Sequence, residues 1–264
     1  MTQRGPALRA ADRPLVAAVA DPVALLAAPS TRLLKRGMAG RTVGLVRCGG
    51  REVIVKLFDE SAPRHRLVRL FTGSAAARAA AGAAAMRDAG LPAPPVVAVF
   101  ETAMLCARPA SCVVTEFVDG QRGDHLWDES RARPRLRRRL VAALAERVRA
   151  IHDRGLYPQD VGMVNWVAAP VDRGWDLVLV DLDRVRRYAR VSRRRRRKNL
   201  VQLELSFGRT ASQREKLLFL RRYLGRPDAA ELRRTAAEVA RDAGEKERRR
   251  RPAADGVDRG EDLL

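Results

Sequence analysis

The feature that most constrains the fold is a lysine in the middle of an apolar strand. Lys56 lies in the run Val-Ile-Val-Lys-Leu-Phe at positions 53–58, in a chain that carries 47 Arg and only five Lys. An ammonium is a compact charge and a guanidinium is a planar fork, so a lysine here indicates that the compact group is needed. Phosphate-transferring folds hold a nucleotide phosphate with such a strand lysine. The alternative is a strand-end lysine whose charge reaches solvent along its stem.

Three later residues complete a pattern with Lys56. Asp160 is followed five positions later by Asn165, and Asp181 ends an apolar strand at 176–180. A kinase catalytic loop needs an Asp to accept the proton of the attacking hydroxyl, an Asn to hold a metal and a second Asp at a strand end to hold the same metals. With 18 Asp and two Asn, the Asp-to-Asn spacing alone would arise in about one chain in seven. The helix before the loop and the strand after it supply the context, and together they predict kinase architecture.

The local patterns predict an α+β protein of two lobes. Strand-like runs at 42–47, 52–58, 96–100 and 111–117 surround one helical stretch at 75–89, which indicates a small, mostly antiparallel lobe. The second half is mainly helical. Apolar residues recur every three or four positions over 135–152, and further helices are predicted at 198–207 and 211–224.

These patterns divide the chain into four parts. We interpret 1–30 as a loosely ordered leader with a short helix at 22–28, and 31–118 as a nucleotide-binding lobe. Residues 119–225 form the helical catalytic lobe in this interpretation. Residues 226–264 are charged with few large apolar groups, which indicates a solvated helix at best and then disorder.

The sequence resembles a family, the lipopolysaccharide core kinases, which includes the Kdo and heptose kinases and has the protein-kinase-like fold. The resemblance runs from about Arg32 to Leu224. It is carried by the order and spacing of segments, namely Leu34–Arg36, Gly50–Phe58, Ala89–Pro94, Val114–Gly120, Ile151–Gly155, Val180–Arg184 and the Arg run before Asn199–Leu200. The resemblance implies a phosphotransferase that uses ATP and Mg²⁺ and phosphorylates a sugar hydroxyl, of Kdo or heptose, in the lipopolysaccharide core.

Each candidate residue has a role in this interpretation. Asp160 is the catalytic residue, Asn165 and Asp181 hold Mg²⁺, and Lys56 contacts the nucleotide phosphates. The remaining nucleotide contacts come from the hinge and from the segment expected over the phosphates: Glu116, Phe117 and Val118, with Glu116 using its backbone carbonyl, and Arg41, Thr42 and Val43. The alternative for Asp160 and Asn165 is a turn pair held by side-chain to backbone bonds, and for Asp181 a strand-terminating Asp.

Several departures from the kinase pattern leave a second function open. The helix after the Lys56 strand has no carboxylate near Ala79, where kinases have a Glu that pairs with the lysine, and Pro158-Gln159 replaces the usual His-Arg. The glycines before the lysine strand do not have protein-kinase spacing. A non-catalytic kinase-like protein that acts through its basic surface on a membrane or a partner is therefore the alternative. For Asp183 we favour pairing with Arg184 or Arg186, and for His152 a packed position.

The net charge of +21 is concentrated at 131–139, 184–198 and 246–251. Such fields attract an anionic membrane surface, phosphorylated lipid or nucleic acid, although solvated arginine faces explain many of them. Nucleic acid is disfavoured, because aromatic residues make up 5% of the chain and are not interleaved with the basic runs. We expect a cytoplasmic protein with peripheral contact to the inner membrane, since no long apolar run or signal peptide is present. The three cysteines, Cys48, Cys106 and Cys112, are expected to be ordinary reduced core residues.

Overall fold

The computed structural model describes residues 2–3, 17, 20–38, 40–103, 108–172, 174–208 and 210–250. They form two lobes, which confirms the α+β prediction. The first lobe is a six-stranded antiparallel sheet in the order β1-β5-β6-β4-β3-β2. Its strands are β1 Thr2–Gln3, β2 Arg32–Met38, β3 Arg41–Cys48, β4 Arg51–Asp59, β5 Val96–Glu101 and β6 Ala110–Glu116.

The short helix of the leader belongs to this lobe. Helix α1, Pro22–Ala27, begins at Asp21, whose carboxylate accepts bonds from two backbone amides of the first turn. Leu26 is buried against the sheet, and a Cβ on Gly44 would lie 2.6 Å from its Cδ2. Gly44 therefore permits close packing of α1 on β3. The prediction of a loosely ordered leader is corrected for residues 21–30, while most of 1–20 lies outside the described residues.

Two helices connect β4 to β5. Helix α2, Pro63–Thr72, was not predicted, and α3, Ala75–Asp88, agrees with the prediction at 75–89. Helix α3 is built almost wholly of alanine, so it has little apolar side-chain area with which to pack. Polar contacts at its start compensate: the Glu60 carboxylate accepts from Ala75 N at 2.7 Å, Ser111 Oγ from Ala76 N at 3.2 Å, and Ser74 Oγ from Ala77 N at 3.0 Å.

The second lobe is built around a long central helix. Helix α5, Pro134–Asp153, buries Leu140, Leu144, Val148 and Ile151, which is the stripe that the sequence predicted. Before it lie β7, Gln121–Arg122, and α4, Gly123–Glu129. After it come β8 Leu156–Pro158, a 3₁₀ turn at Met163–Asn165, β9 Trp166–Val171, β10 Gly174–Leu179 and β11 Val185–Arg187. Strands β9 and β10 form a hairpin, and β8 pairs with β11.

Three further helices complete this lobe. They are α6 Arg193–Phe207, α7 Gln213–Leu224 and α8 Ala229–Arg250. Helix α6 begins five residues earlier than predicted, because acidic partners stabilise its basic first turns: Arg196 bonds Asp153 at 2.8 Å, and Arg197 lies 3.1 Å from Glu238 and 2.9 Å from Asp242.

The prediction of a solvated or disordered tail is wrong for residues 229–250. Leu232, Val239 and Ala243 lie on one face of α8 and are buried in the core of the second lobe. They are spaced by seven and four residues among charged positions, which is a narrow helical stripe. Residues 251–264 lie outside the described part. Of the helices in the described part, none has the length and apolar content needed to cross a membrane.

Candidate active site

Lys56 and Asp181 meet in the cleft between the lobes. Strand β4 directs Lys56 toward the second lobe, where its Nζ donates to the carbonyl of Val180 at 2.9 Å and lies 3.6 Å from Asp181 Oδ1. Both side chains are mostly buried, with exposed fractions of 15% and 21%. The ammonium is therefore directed into the cleft and not along the strand to solvent.

Arg41 joins the same cluster. Its Nη1 lies 3.0 Å from Asp181 Oδ2 and its Nη2 lies 3.1 Å from Asp183 Oδ2, so the guanidinium bridges two carboxylates. The guanidinium also lies over the ring of Phe58, its cross-strand partner, at 5.2 Å. Asp183 is buried and lies 3.9 Å from Arg184 Nε. The expected pairing with Arg184 is present, but the shorter contact is with Arg41, which was not foreseen.

The two carboxyl groups have opposite pKa shifts. Burial would raise the pKa of Asp181, but the charges of Lys56 and Arg41 outweigh burial and lower it. Burial, and then the negative charge of Asp181, raise the pKa of Asp183. Asp181 is consequently the permanent anion of the pair, which is the state that a metal ligand requires.

The register of β3 with β4 shows which of the residues expected over the phosphates face the cleft. Val43 is opposite Lys56 and Arg41 is opposite Phe58, so Arg41 and Val43 share the cleft face of the sheet. Thr42 is opposite Leu57, which packs with the cluster around α1 on the other face. Any contact of Thr42 with a nucleotide must therefore be made by its backbone.

The loop that carries Asp160 is held from behind by α6. Asp160 Oδ1 accepts bonds from Gly162 N at 3.0 Å and from Gln202 Nε2 at 2.7 Å, while Gln202 Oε1 accepts from Val161 N at 3.1 Å. Asn199, one turn earlier on α6, donates to the carbonyl of Pro158 at 2.9 Å. Gln202 was missed in the sequence, although Asn199 and Gln202 are polar residues at an i, i+3 spacing in an otherwise apolar part of the helix.

Two backbone bonds bring the loop beside Asp181. Gln159 N donates to Arg184 O at 3.2 Å, and Val180 N donates to Asn165 O at 2.9 Å. Asp160 itself is exposed, whereas Asn165 is half-buried. The backbone segments that carry Asp160, Asn165 and Asp181 therefore lie next to one another. Lys56 faces them across the cleft.

The side-chain amide of Asn165 has an unpartnered donor, which fits a contact with a phosphate or water oxygen, whereas Mg²⁺ would be bound by the amide oxygen. Its Nδ2 is one of two buried side-chain nitrogen or oxygen atoms in the described part that lack a hydrogen-bond partner. A buried polar atom of this kind is costly unless another group meets that side chain. The described residues contain no group of three or more His, Cys, Asp or Glu side chains suited to a metal. Mg²⁺ held by Asn165 and Asp181 would complete its shell with phosphate and water oxygens, as it commonly does.

The expected hinge connects β6 to β7. Phe117 N donates to Glu52 O at 3.0 Å, so this amide already has a protein partner. The carboxylate of Glu116 bonds Arg51. Val118 is half-buried in the connection. Glu116 N is also bonded, to Pro95 O at 2.9 Å, so the carbonyl of Glu116 and the backbone of Val118 are left as candidates for adenine.

Helix α3 approaches the Asp181–Asp183 segment by its backbone. A Cβ on Gly82 would clash with the carbonyl oxygen of Leu182, so only glycine permits this approach. Ala79 is buried near the position where kinases have a glutamate that pairs with the strand lysine. No carboxylate in α3 pairs with Lys56. The Glu60 carboxylate near the start of α3 is already bound to Arg69 at 3.1 Å. Asp181 is thus the acidic partner of Lys56.

His152 and the described cysteines have no place in the site. His152 is 1% exposed, with Nε2 donating to Asn199 Oδ1 and Nδ1 accepting from Tyr223 Oη, each at 2.8 Å. Burial lowers the pKa of His152 to about 4. The prediction of a packed histidine is confirmed. Burial raises the pKa of Cys112 to about 12, Cys48 is half-buried and free, and Cys106 lies outside the described residues.

Two comparisons with known proteins found matches. A solved structure of "WaaP in complex with acyl carrier protein" is similar to this chain, with a TM-score of 0.63 and 26% identity, over 85% of this chain and 92% of that one. No curated protein matches the sequence. The family model described as "Lipopolysaccharide kinase (Kdo/WaaP) family" matches residues 36–223. The chain belongs to the lipopolysaccharide kinase (Kdo/WaaP) family.

Proposed function

We propose that the chain is an ATP-dependent kinase that phosphorylates a sugar hydroxyl, on Kdo or heptose, of the lipopolysaccharide core at the cytoplasmic face of the membrane. The observation that carries the proposal is the meeting of Lys56 and Asp181 at 3.6 Å, with Arg41 on the same carboxylate. Three charged side chains from distant parts of the chain converge in one cleft, beside the loop that carries Asp160 and Asn165. Family membership supports the same activity.

The residues divide the work between nucleotide and acceptor. Lys56 and Arg41 would bind the phosphates, and the backbones of Glu116 and Val118 would orient the adenine. Asn165 and Asp181 would hold Mg²⁺, which when bound neutralises phosphate charge. Both described bonds to the Asp160 carboxylate go to Oδ1, so Oδ2 is the oxygen that would accept the proton of the acceptor hydroxyl.

A non-catalytic kinase-like protein is the second candidate. The observation in its favour is the alanine face of α3, which leaves Lys56 without the helix carboxylate that fixes it in other kinases. Such a protein would act through its basic surface on a membrane or a partner. The similar WaaP structure is a complex with acyl carrier protein, and this supports a protein partner for the present chain under either candidate.

The first experiment is a thermal shift with ATP, with and without Mg²⁺. A ligand at 100 times its Kd stabilises the folded state by about 2.7 kcal/mol, so binding should raise the Tm clearly. We expect a Mg²⁺-dependent shift for the wild type that is lost in Asp181→Asn. It should be kept in Asp172→Asn, which changes an exposed carboxylate in the β9–β10 hairpin.

A second variant separates binding from transfer. Asp160→Asn should keep the Mg²⁺-dependent shift, because Asp160 is not a proposed metal ligand, and should lose phosphate transfer from labelled ATP to core lipopolysaccharide by about 10²-fold or more. Binding without transfer by the wild type to any Kdo or heptose acceptor would contradict the kinase proposal. The absence of any shift at millimolar ATP would favour the non-catalytic candidate.

A further inference from the structure

Helix α2 packs on the protein with its charged side inward. Arg69 is buried on the inner face, where Nη1 lies 3.1 Å from Glu60 Oε2 and Nη2 donates to Thr102 O at 2.7 Å. His65 Nδ1 lies 3.3 Å from the carbonyl of Asp59 on the same side. A surface helix normally buries its apolar stripe and exposes its charges. The contacts of α2 reverse this arrangement.

The outer face of α2 is apolar. Leu67, Leu70 and Phe71 follow an i, i+3, i+4 spacing and are 57%, 59% and 82% exposed, and Val68 beside them is 46% exposed. These four residues are among ten exposed large hydrophobic residues in the described part of the chain. Grouping on one ten-residue helix makes them a contiguous patch, and such patches mark interaction sites. We call these four residues the α2 apolar face.

Arginines lie at both ends of the α2 apolar face, and the nearby carboxylates of Asp59 and Glu101 have partners of their own, Ser61 N and Ser74 Oγ. Arg64 is exposed on the helix, and Arg78 lies at its far end, where Nη1 donates to Gly73 O at 2.6 Å. The helix contains no acidic residue. The carboxylate that it contacts, that of Glu60, is buried and bound to Arg69. An apolar face with a basic border is the composition of helices that lie in the interface of an anionic bilayer.

We propose that α2 inserts its apolar face into an anionic membrane surface, with Arg64 and Arg78 at the lipid phosphates. A second copy of this chain fits the face less well, because a symmetric contact would bring the arginines of one copy against those of the other. The proposal deepens the proposed function by naming the element that meets the membrane. It does not depend on catalysis, because lipid binding requires neither ATP nor a sugar acceptor.

The position of α2 couples this contact to the cleft. Helix α2 begins seven residues after Lys56 on the same chain segment. The carboxylate of Glu60 binds Arg69 of α2 through one oxygen and the first amide of α3 through the other. Helix α3 in turn meets Leu182 through Gly82. An inserted α2 would hold this edge of the cleft close to a lipid-anchored acceptor.

The test is flotation of the full chain with vesicles in the absence of nucleotide. We expect binding to vesicles of phosphatidylethanolamine and phosphatidylglycerol, and much weaker binding to phosphatidylcholine alone. The double variant Leu70→Ser/Phe71→Ser should bind at least about tenfold more weakly, since two apolar side chains would no longer be buried in the bilayer. Arg64→Gln should weaken binding about fivefold. Val171→Ser, which changes an apolar residue of the second lobe that is 51% exposed, is the control and should bind as the wild type does.

A fluorescent reporter identifies the inserting residue. Phe71→Trp should show a blue-shifted emission with anionic vesicles after subtraction of the wild-type signal, whereas Val171→Trp should not. Unchanged vesicle binding by the double variant would overturn the proposal and assign docking to the arginine runs alone. A dimer that the double variant abolishes, without vesicle binding by the wild type, would also overturn it and assign the face to a second copy.

Discussion

The two walls of the cleft are held in place by different means. On the second lobe, the Asp160 loop is bound from behind by Asn199 and Gln202 of α6, away from the space where substrates would lie. On the first lobe, Lys56 and Arg41 are held by ion pairs that cross the cleft itself. The second-lobe wall is therefore organised before any ligand arrives. Under the proposed function, the first-lobe wall would exchange partners on binding phosphate and metal.

The support behind the second-lobe wall is a closed polar network. His152 bonds both Asn199 and Tyr223, and Asn199 also bonds the Pro158 carbonyl, all within the core of the lobe. Buried networks of this kind are stabilising only when each member is satisfied. This network fixes the Asp160 loop to the central helix through one imidazole ring.

The support behind the first-lobe wall is sparse. Helix α3 contributes alanines, terminal polar contacts and one close backbone approach at Gly82. The position of α3 therefore depends more on the close backbone approach at Gly82 than on buried side-chain area. We expect the first-lobe wall to respond to small steric changes, and the second-lobe wall to respond to loss of hydrogen bonds or to protonation.

Acidification should act first on the second-lobe wall. The pKa of His152 falls from 6.5 to about 4 on folding, so between these values the unfolded state binds the proton and the folded state does not. The stability that this neutral histidine contributes is complete above pH 6.5 and is lost as the pH falls to 4. Linkage gives a loss on the order of 3 kcal/mol across that window. Denaturant unfolding at a series of pH values would measure it.

The histidine contribution is isolated by comparison of variants, because carboxyl groups also titrate in that range. His152→Gln should be less stable at pH 7.5 and should lose less stability than the wild type between pH 6.5 and pH 4. His125→Gln, which changes an exposed histidine of α4, is the control and should follow the wild-type curve. Equal slopes for wild type and His152→Gln would show that His152 does not titrate abnormally.

A steric change should act on the first-lobe wall. Gly82→Val places a branched side chain against the Leu182 carbonyl and should push α3 away from the Asp181–Asp183 segment. A displacement near 1 Å at a catalytic site can cost about 100-fold, so we expect kcat/KM for phosphate transfer to fall by about that factor. The Mg²⁺-dependent thermal shift with ATP should shrink in parallel.

The control for this change is on the same helix. Ala81→Val introduces the same side chain at an exposed position one residue earlier; it lowers helix propensity, whereas Gly82→Val raises it, so propensity alone would make Ala81→Val the more damaging change. It should lower stability slightly and leave the nucleotide response intact. If Gly82→Val and Ala81→Val behaved alike, the close approach at Gly82 would have no part in shaping the cleft.

The sequence predicts best the elements whose patterns are local. Short stretches of sequence contain the alternation around Lys56 and the apolar stripe of the central helix. They also contain Asp160, Asn165 and Asp181 in the expected order. Helix α2 was not predicted, because it buries Arg69 and exposes its leucines, which contradicts the usual assumption about burial. The burial of one face of α8 was missed for a related reason: its apolar stripe is narrow and surrounded by charged residues.

The roles of residues that contact distant parts of the chain could not be predicted from the local sequence pattern. In the sequence, Gly82 is an unfavourable residue in an alanine-rich helix, and only the contact with Leu182 explains it. Gln202 resembles a surface amide in the sequence, and only its hydrogen bond to Asp160 shows its role. Arg41 was expected to face a nucleotide, but its bridge between Asp181 and Asp183 depends on the pairing of β3 with β4 and on the closeness of the lobes. Such roles follow from tertiary contacts, which spacing in the sequence does not encode.

The smallest predicted effect concerns the Arg41 bridge between Asp181 and Asp183. Its loss should raise the affinity for one ligand and lower the affinity for another. Arg41 is bound to Asp181, a proposed Mg²⁺ ligand, and ties it to Asp183, so Arg41→Gln should raise the affinity for Mg²⁺ without nucleotide about fivefold, the range of a half-buried ion pair. The same variant should bind ATP with Mg²⁺ more weakly, because a phosphate contact is lost. Arg47→Gln removes an exposed ion pair from the same strand and should change neither affinity. Calorimetric titration of both ligands distinguishes an exchangeable bridge from a fixed one, since a purely structural Arg41 would give losses in both titrations.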